Sequence, residues 1–214
     1  MNEVVRRVEE HVRRFTETQD KAHDWPHIDR VRNMALRIAS IEGGDKLIIE
    51  LAALVHDVGD RKAHGSKDTG RVVTVQLLRD CGAENVIDPV VNIACKVSFE
   101  GFGVPDDMRS LEGKIVQDAD RLDAIGAIAI ARTFTWGGAK GRPIYDPQEQ
   151  IFRAENTEDY YAKGGRTSIN HFHEKLLHLK SRLHTETARL IAHPRHRFME
   201  QFLEQFNREW EGQF

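Results

Sequence analysis

The sequence predicts an all-α protein, and three observations carry that prediction. Apolar residues recur at spacings of three and four through most of the chain, as they do on helix faces turned to a core. Period-two alternation, the mark of a half-buried strand, is hard to find. Glycines, aspartates and prolines fall between the apolar stripes, where helices start and stop. At 214 residues the chain suits one compact domain, residues 1–214. Its hydrophobic share of 40% is enough for a sizeable core, and its charged share of 30% suits a soluble surface.

Taken in order, Val5, Val8, Val12 and Phe15 stripe a first helix. The segment TQDKAHDWPH is a loop, and Pro26 is well placed at the start of the next helix. That helix carries Val31, Met34, Ala35 and Ile38 and ends at Gly43-Gly44. Leu47, Leu51, Leu54, Val55 and Val58 form a third helix, broken at Gly59. Val72, Val75, Gln76 and Leu78 give a fourth, closed by Gly82, and Asp88-Pro89 opens a fifth that runs to about Val97.

A long helical pattern follows from Leu111 to about Phe134. Leu176, Leu179 and Leu183 mark another helix. Phe198, Phe202, Phe206 and Trp210 stripe the last at i,i+4, a period that fits an ordinary buried face. The interval 135–170 resists the pattern, being rich in Gly, Tyr and polar residues. Loops longer than about 12–15 residues tend to be functional or disordered. The interval is therefore either a lid or a surface excursion with a short helix inside it.

Charge and cysteine content narrow the function classes. The net charge of -3 offers no basic field for a nucleic acid or an anionic membrane. The amino terminus, MNEVVRRVEEHVRRF, has no continuous apolar run and reads as neither signal peptide nor membrane span. Cys81 and Cys95 are too few for a secreted disulfide framework. A cytoplasmic protein with reduced thiols is expected.

The segment AALVHDVGD, Ala52 to Asp60, sets a histidine and two aspartates in an apolar helix. Unpaired buried charge is costly, so such groups pair, neutralise or bind a metal. His56 and Asp57 are adjacent, about 100° apart on a helix, and converge only near its surface, beside a partner helix. His27 shares its face with Val31 and Met34. In KIVQDADRLDAIGAIAIA, carboxylates at 118, 120 and 123 interrupt another apolar run. Two imidazoles and two carboxylates from three helices suit manganese, iron, cobalt, nickel or zinc rather than calcium. Any one of these residues alone is more often a hydrogen-bonded core group.

HIDRV (His27 to Val31), HDVGD (His56 to Asp60) and DADRLDAIGA (Asp118 to Ala127) resemble the three signatures of the HD-domain metal-dependent phosphohydrolases. The resemblance covers roughly residues 20–130. RTFTWGGAKGRPIYD and NHFHEKLLHLKSRLHTETAR look like the carboxy-terminal half of a small stand-alone bacterial branch, similar to a nucleotide pyrophosphohydrolase. The resemblance implies a multi-helix HD-domain bundle with a helical extension and possible lid over 135–214.

It also implies His27, His56, Asp57 and Asp120 as ligands of one divalent ion, with manganese first and cobalt, nickel, iron, zinc or magnesium as alternatives. Asp118 and Asp123 are then supporting or capping groups. Between Asp57 and Asp120 only His64 is available as a further histidine, so one metal ion is favoured over two.

The implied reaction is hydrolysis of a nucleotide, a (deoxy)nucleoside triphosphate going to monophosphate and pyrophosphate. A 5'-nucleotidase-type phosphomonoesterase and a non-catalytic nucleotide or alarmone sensor are the alternatives. Asp57 is the expected ligand and water-orienting acceptor. Asp60 is a candidate general base and equally an end-of-helix turn residue. Arg61 and Lys62 follow the metal pair, and the resemblance puts Lys62, Lys140 and Lys175 on phosphates. His171 is placed with Lys175 at the pocket mouth, and His23 in its loop reaches toward leaving group or sugar. The expected partner is a phosphorylated small molecule, with the protein a monomer or homodimer.

Overall fold

The computed structural model describes residues 2–17, 24–59, 67–159 and 167–213. Among them the regular structure is helical and no strand occurs, as the apolar spacing predicts. The chain divides into two compact units, Met1–Ser98 with Asp107–Asp120, and Phe99–Asp106 with Arg121–Phe214.

The first unit holds α1 (Glu3–Thr16), α2 (Trp25–Glu42), α3 (Lys46–Val55), α4 (Lys67–Asp80) and α5 (Ile87–Ala94), the last preceded by a 3-10 turn (Glu84–Val86). Most of α6 (Leu111–Asp123) belongs to it as well, as far as Asp120. The most apolar of these helices, α3, lies at the centre against α1, α2 and α5. Ile49, Leu51, Ala52, Ala53, Leu54 and Val55 are all buried there. Its start is fixed by Asp45, whose side chain accepts from the Leu47 and Ile48 N–H groups at 2.9 and 3.2 Å. Gly43 and Gly44, at φ 88° and 93°, turn the chain sharply out of α2, a backbone region that side-chain-bearing residues avoid.

Arg32 of α2 ties three helices, donating to Glu50 of α3 at 2.8 Å and Glu9 of α1 at 2.9 Å. The turn that leaves α3 touches α4 backbone to backbone. A Cβ on Gly70 would stand 2.0 Å from the Gly59 carbonyl oxygen, so only glycine fits at that crossing.

The expected third helix ends earlier than its apolar pattern suggests. His56 is its C-cap, and the Val58 N–H turns back to the Val55 carbonyl at 3.0 Å, a tight turn rather than a further helical one. His56 and Asp57 therefore sit in a turn, and Val58 is buried from there.

The second unit contains the last turn of α6, then α7 (Ala127–Ala139), α8 (Ser168–Glu174), a 3-10 run (Leu176–Arg182) and α9 (Glu186–Trp210). The single helix expected from Leu111 to Phe134 is thus two. Gly126, at φ 105°, marks the break, and Arg195 of α9 donates to the Leu122 carbonyl at 2.9 Å, satisfying a helix-end acceptor. The expected helix through Leu176, Leu179 and Leu183 is a 3-10 run ending at Arg182, whose three-residue turn puts Leu176 and Leu179 on one buried line, while Leu183 follows it in extended backbone.

Phe134, Phe172 and Phe202 pack with ring centroids about 6 Å apart, joining α7, α8 and α9. The i,i+4 aromatic stripe on α9 is only partly core: Phe198 and Trp210 are 49% and 53% exposed. Trp210 rests on Tyr145 with ring centroids 5.0 Å apart. In the interval 135–170, α7 occupies the first residues and α8 the last, and between them residues 140–156 are irregular but tied down. The Phe102 and Gly103 N–H groups donate to the Ala154 and Glu155 carbonyls at 2.9 Å each. Both cysteines are free thiols.

Candidate metal centre

The cluster is assembled by two helix ends and one helix interior. Asp24 caps α2, its Oδ1 accepting from the His27 N–H at 3.1 Å, with Pro26 in the first turn. His27 is thereby held in that first turn, 2% exposed. His56, 1% exposed, caps the other end, that of α3. Its Nδ1 lies 2.8 Å from the Ala53 carbonyl oxygen. A carbonyl only accepts, so Nδ1 carries the proton and Nε2 presents its lone pair.

Those two imidazoles meet at their Nε2 atoms, 3.3 Å apart, with the rings edge to face at 71°. Asp57 spans them, Oδ1 at 3.4 Å from His56 Nε2 and Oδ2 at 3.4 Å from His27 Nε2. Asp120 of α6 brings Oδ1 to 3.5 Å from His27 Nε2 and 3.8 Å from His56 Nε2. Asp57 is 8% exposed, whereas the Asp120 side chain is 27% exposed, so Asp120 is the member that solvent reaches.

This arrangement fits a divalent metal. Ligand atoms about 2.1 Å from a common ion stand roughly 3.0–3.5 Å from one another. The donor atoms of His27, His56 and Asp57 all lie within 4.8 Å of each other. Nitrogen and carboxylate oxygen together suit a first-row transition ion rather than calcium. Two imidazole nitrogens facing each other this closely need a proton or a cation between them, and the adjacent carboxylates favour the cation.

The four residues expected on one ion are therefore brought together. His56 and Asp57 follow the last residue of α3 in a turn rather than lying within the helix, and His56 keeps helical dihedrals, φ -58° and ψ -34°. Asp123 is committed elsewhere, accepting from Arg132 Nη1 at 2.5 Å and joining the end of α6 to α7. Asp118 is fully buried.

Asp60, Arg61, Lys62 and His23 lie outside the described residues. Lys140, His171 and Lys175 belong to the second unit. Lys140 is exposed at the carboxy-terminal end of α7, its Nζ 6.0 Å from the Trp136 ring, over which Arg142 also lies at 4.1 Å. His171 is half-buried on α8, and its carbonyl accepts from the backbone N–H of Lys175, the residue that ends the helix. The Ala53 carbonyl escaped the sequence reading. Only knowing that α3 stops at Val55 would have pointed to it, since helix ends leave their last carbonyls open.

Comparison with known proteins places this centre in a family. The HD domain family model matches residues 25–125, a span that includes all four clustered residues. YpgQ of Bacillus subtilis (strain 168) is 38% identical over 200 residues, covering 91% of this chain and 87% of that protein. Its crystal structure in complex with ADP aligns with a TM-score of 0.71, covering 94% of this chain and 97% of that one. An HD-superfamily hydrolase from Bacillus thuringiensis is 42% identical with a TM-score of 0.74, covering 98% and 97% of the two chains. A Lactobacillus plantarum protein reaches a TM-score of 0.89 at 31% identity, covering 99% of each. With this extent of identity and the paired histidines and aspartates in place, the chain belongs to the HD-domain superfamily of metal-dependent phosphohydrolases.

Proposed function

We propose that this hydrolase acts on a nucleotide, cleaving a (deoxy)nucleoside triphosphate to monophosphate and pyrophosphate, with one manganese ion held by His27, His56, Asp57 and Asp120. The observation that carries the reading is the convergence of two imidazole nitrogens and two carboxylates within 3.3–3.8 Å. The nucleotide is supported by the ADP complex of YpgQ, 36% identical to this chain.

When bound, the ion supplies Lewis acidity to the phosphoryl group and makes water a competent nucleophile near neutral pH. The protein's own part begins with His56, whose tautomer is set by the Ala53 carbonyl before any ligand arrives. Asp57, buried and able only to accept when ionised, orients the attacking water. Asp60 is the proposed base that takes its proton. Water adds at the α-phosphorus, the bond to the bridging oxygen breaks, and pyrophosphate leaves. Lys62, Lys140 and Lys175 offset charge on the phosphates. Arg61, His23 and His171 complete the contacts.

The reading places the protein in the cytoplasm. No helix among the described residues is long and apolar enough to cross a membrane.

The test is product analysis. Protein stripped of metal and reloaded separately with Mn, Mg, Co, Ni or Zn is offered nucleoside mono- and triphosphates, with phosphate resolved from pyrophosphate. Manganese-dependent pyrophosphate release that vanishes in Asp57→Asn is expected. Phosphate released from monophosphates would instead make it a nucleotidase. Tight nucleotide binding with no turnover under any metal would make it a sensor and refute the mechanism.

A further inference from the structure

We propose that Arg182, with Lys175 on the same Phe99 ring, binds an oxyanion of a phosphorylated ligand. The inference rests on the nucleotide reading for the identity of that ligand, and on the second unit alone for its geometry.

Arg182 ends the 3-10 run with its guanidinium laid against two aromatic rings, 5.0 Å from the Phe99 centroid and 5.8 Å from that of Phe102. Lys175 Nζ stands 5.3 Å from the same Phe99 ring. Arg182 donates to the Gly101, Phe102 and Val104 carbonyls at 3.3, 3.4 and 3.5 Å. Charge-assisted bonds to a fitted anion run to about 2.7–2.9 Å, so these long contacts steady the guanidinium without using its charge. Among the described residues no carboxylate lies within ion-pair distance of it.

The neighbouring Asp106 is already engaged. Asp106 accepts from Arg121 at 2.6 Å and stands 3.6 Å from His184. Although burial pushes Asp106 up, the Arg121 hydrogen bond and charge hold it below the usual carboxylate range. Arg121 also donates to the Arg182 carbonyl. Its Nε is buried and has no hydrogen-bond acceptor among the described residues.

Burial first, and then the Arg121 charge, push Arg182 below the ordinary guanidinium value. Burial, then the charges of His178 and Arg153, push His173 below the ordinary imidazole value. His178 stacks edge to face on Phe102, 5.1 Å between centroids, so the two effects adjoin.

Two cations on one aromatic ring, with Arg182 lacking a carboxylate at ion-pair distance among the described residues, favour an incoming oxyanion. The planar fork of Arg182 matches a phosphate's paired oxygens, which would replace its long carbonyl contacts with shorter charge-assisted ones.

The test is calorimetric titration of the full-length protein in EDTA, so that no divalent ion contributes affinity. The probes are tripolyphosphate, inorganic phosphate, ADP and adenosine, each against wild type, Arg182→Gln and Arg182→Lys. Loss of a charge-assisted contact should weaken tripolyphosphate and ADP roughly tenfold or more in Arg182→Gln. Arg182→Lys, which keeps the charge without the fork, should lose about threefold or more, and it decides the matter if Arg182→Gln does not fold.

Equal binding of tripolyphosphate and ADP by wild type and the folded variants would overturn the proposal, even if the melting temperature falls, since that pattern belongs to a structural staple. So would ADP binding without tripolyphosphate binding, or wild type that binds no phosphorylated probe. Arg182-dependent tripolyphosphate binding by a protein that hydrolyses no nucleotide would sink the proposed activity and leave this site standing.

Discussion

Replacing Gly70 by alanine should loosen the metal centre from outside it. The added Cβ would lie 2.0 Å from the Gly59 carbonyl oxygen, 2.6 Å from its carbonyl carbon and 2.9 Å from its Cα, where real Cβ contacts essentially never fall below 3.0 Å. All three atoms are backbone, so the turn from His56 to Gly59 and the start of α4 must part by about 1 Å. Overpacking of this kind costs about 1–3 kcal/mol. Alanine's better helix propensity returns about 0.5–1 kcal/mol. The net loss is about 1–2 kcal/mol, or roughly 2–8 °C in Tm for a chain of this size.

The displacement should also reach Asp57, two residues before Gly59. Metal sites tolerate ligand errors of only about 0.2 Å, so manganese affinity should fall more than roughly tenfold. Denaturant unfolding in EDTA and calorimetric titration with manganese measure the two effects separately. Gly138→Ala is the control: it lies within α7 and its Cβ would meet nothing within 4 Å. That substitution should stabilise by about 0.5–1 kcal/mol. Gly70→Ala protein with wild-type stability and wild-type manganese affinity would refute the argument.

Three other outcomes are expected. The depressed Asp106 carboxyl contributes stability that is complete above the ordinary Asp value near 4 and is lost as pH falls through its lower folded value. Asp106→Asn should therefore flatten the acid limb of the stability–pH curve below about pH 4, followed by urea unfolding. Chelation should lower Tm and added manganese restore it, by about 2.7 kcal/mol at a hundredfold excess over Kd, read by calorimetric scanning. Asp57→Asn should cost manganese more than the roughly 10–100-fold typical of residues that merely support a ligand, and unchanged affinity by titration would remove Asp57 from the centre.

The four clustered residues were legible because each is polar within an apolar helical stretch: His27 on the Val31 and Met34 face, His56 and Asp57 after Val55, Asp120 between Ala119 and Leu122. Local pattern could not show where α3 ends, since Val58 continues the apolar period from a turn. It also ran α6 and α7 together, because AIGAIAIA stays periodic across the break and the only mark is one glycine. The aromatic stripe of α9 misled for a related reason. Periodicity reports that residues share a face, while the partner that covers it comes from elsewhere in the chain, here Phe134 and Phe172 near its middle and Tyr145 at its end. The Arg121–Asp106 pair was invisible because its members come from different segments with no motif between them.

The bond from His56 to the Ala53 carbonyl has a consequence for how the centre can change over time. An orienting carboxylate can be lost by a single substitution, but a carbonyl belongs to every amino acid. Drift at position 53 therefore leaves the imidazole aimed as before, within the limit that a fully buried alanine sets on size. What the centre does depend on is length: adding or deleting a residue between 53 and 56 would break the span of three that closes this ring. The orientation of His56 is written in chain spacing rather than in side-chain identity.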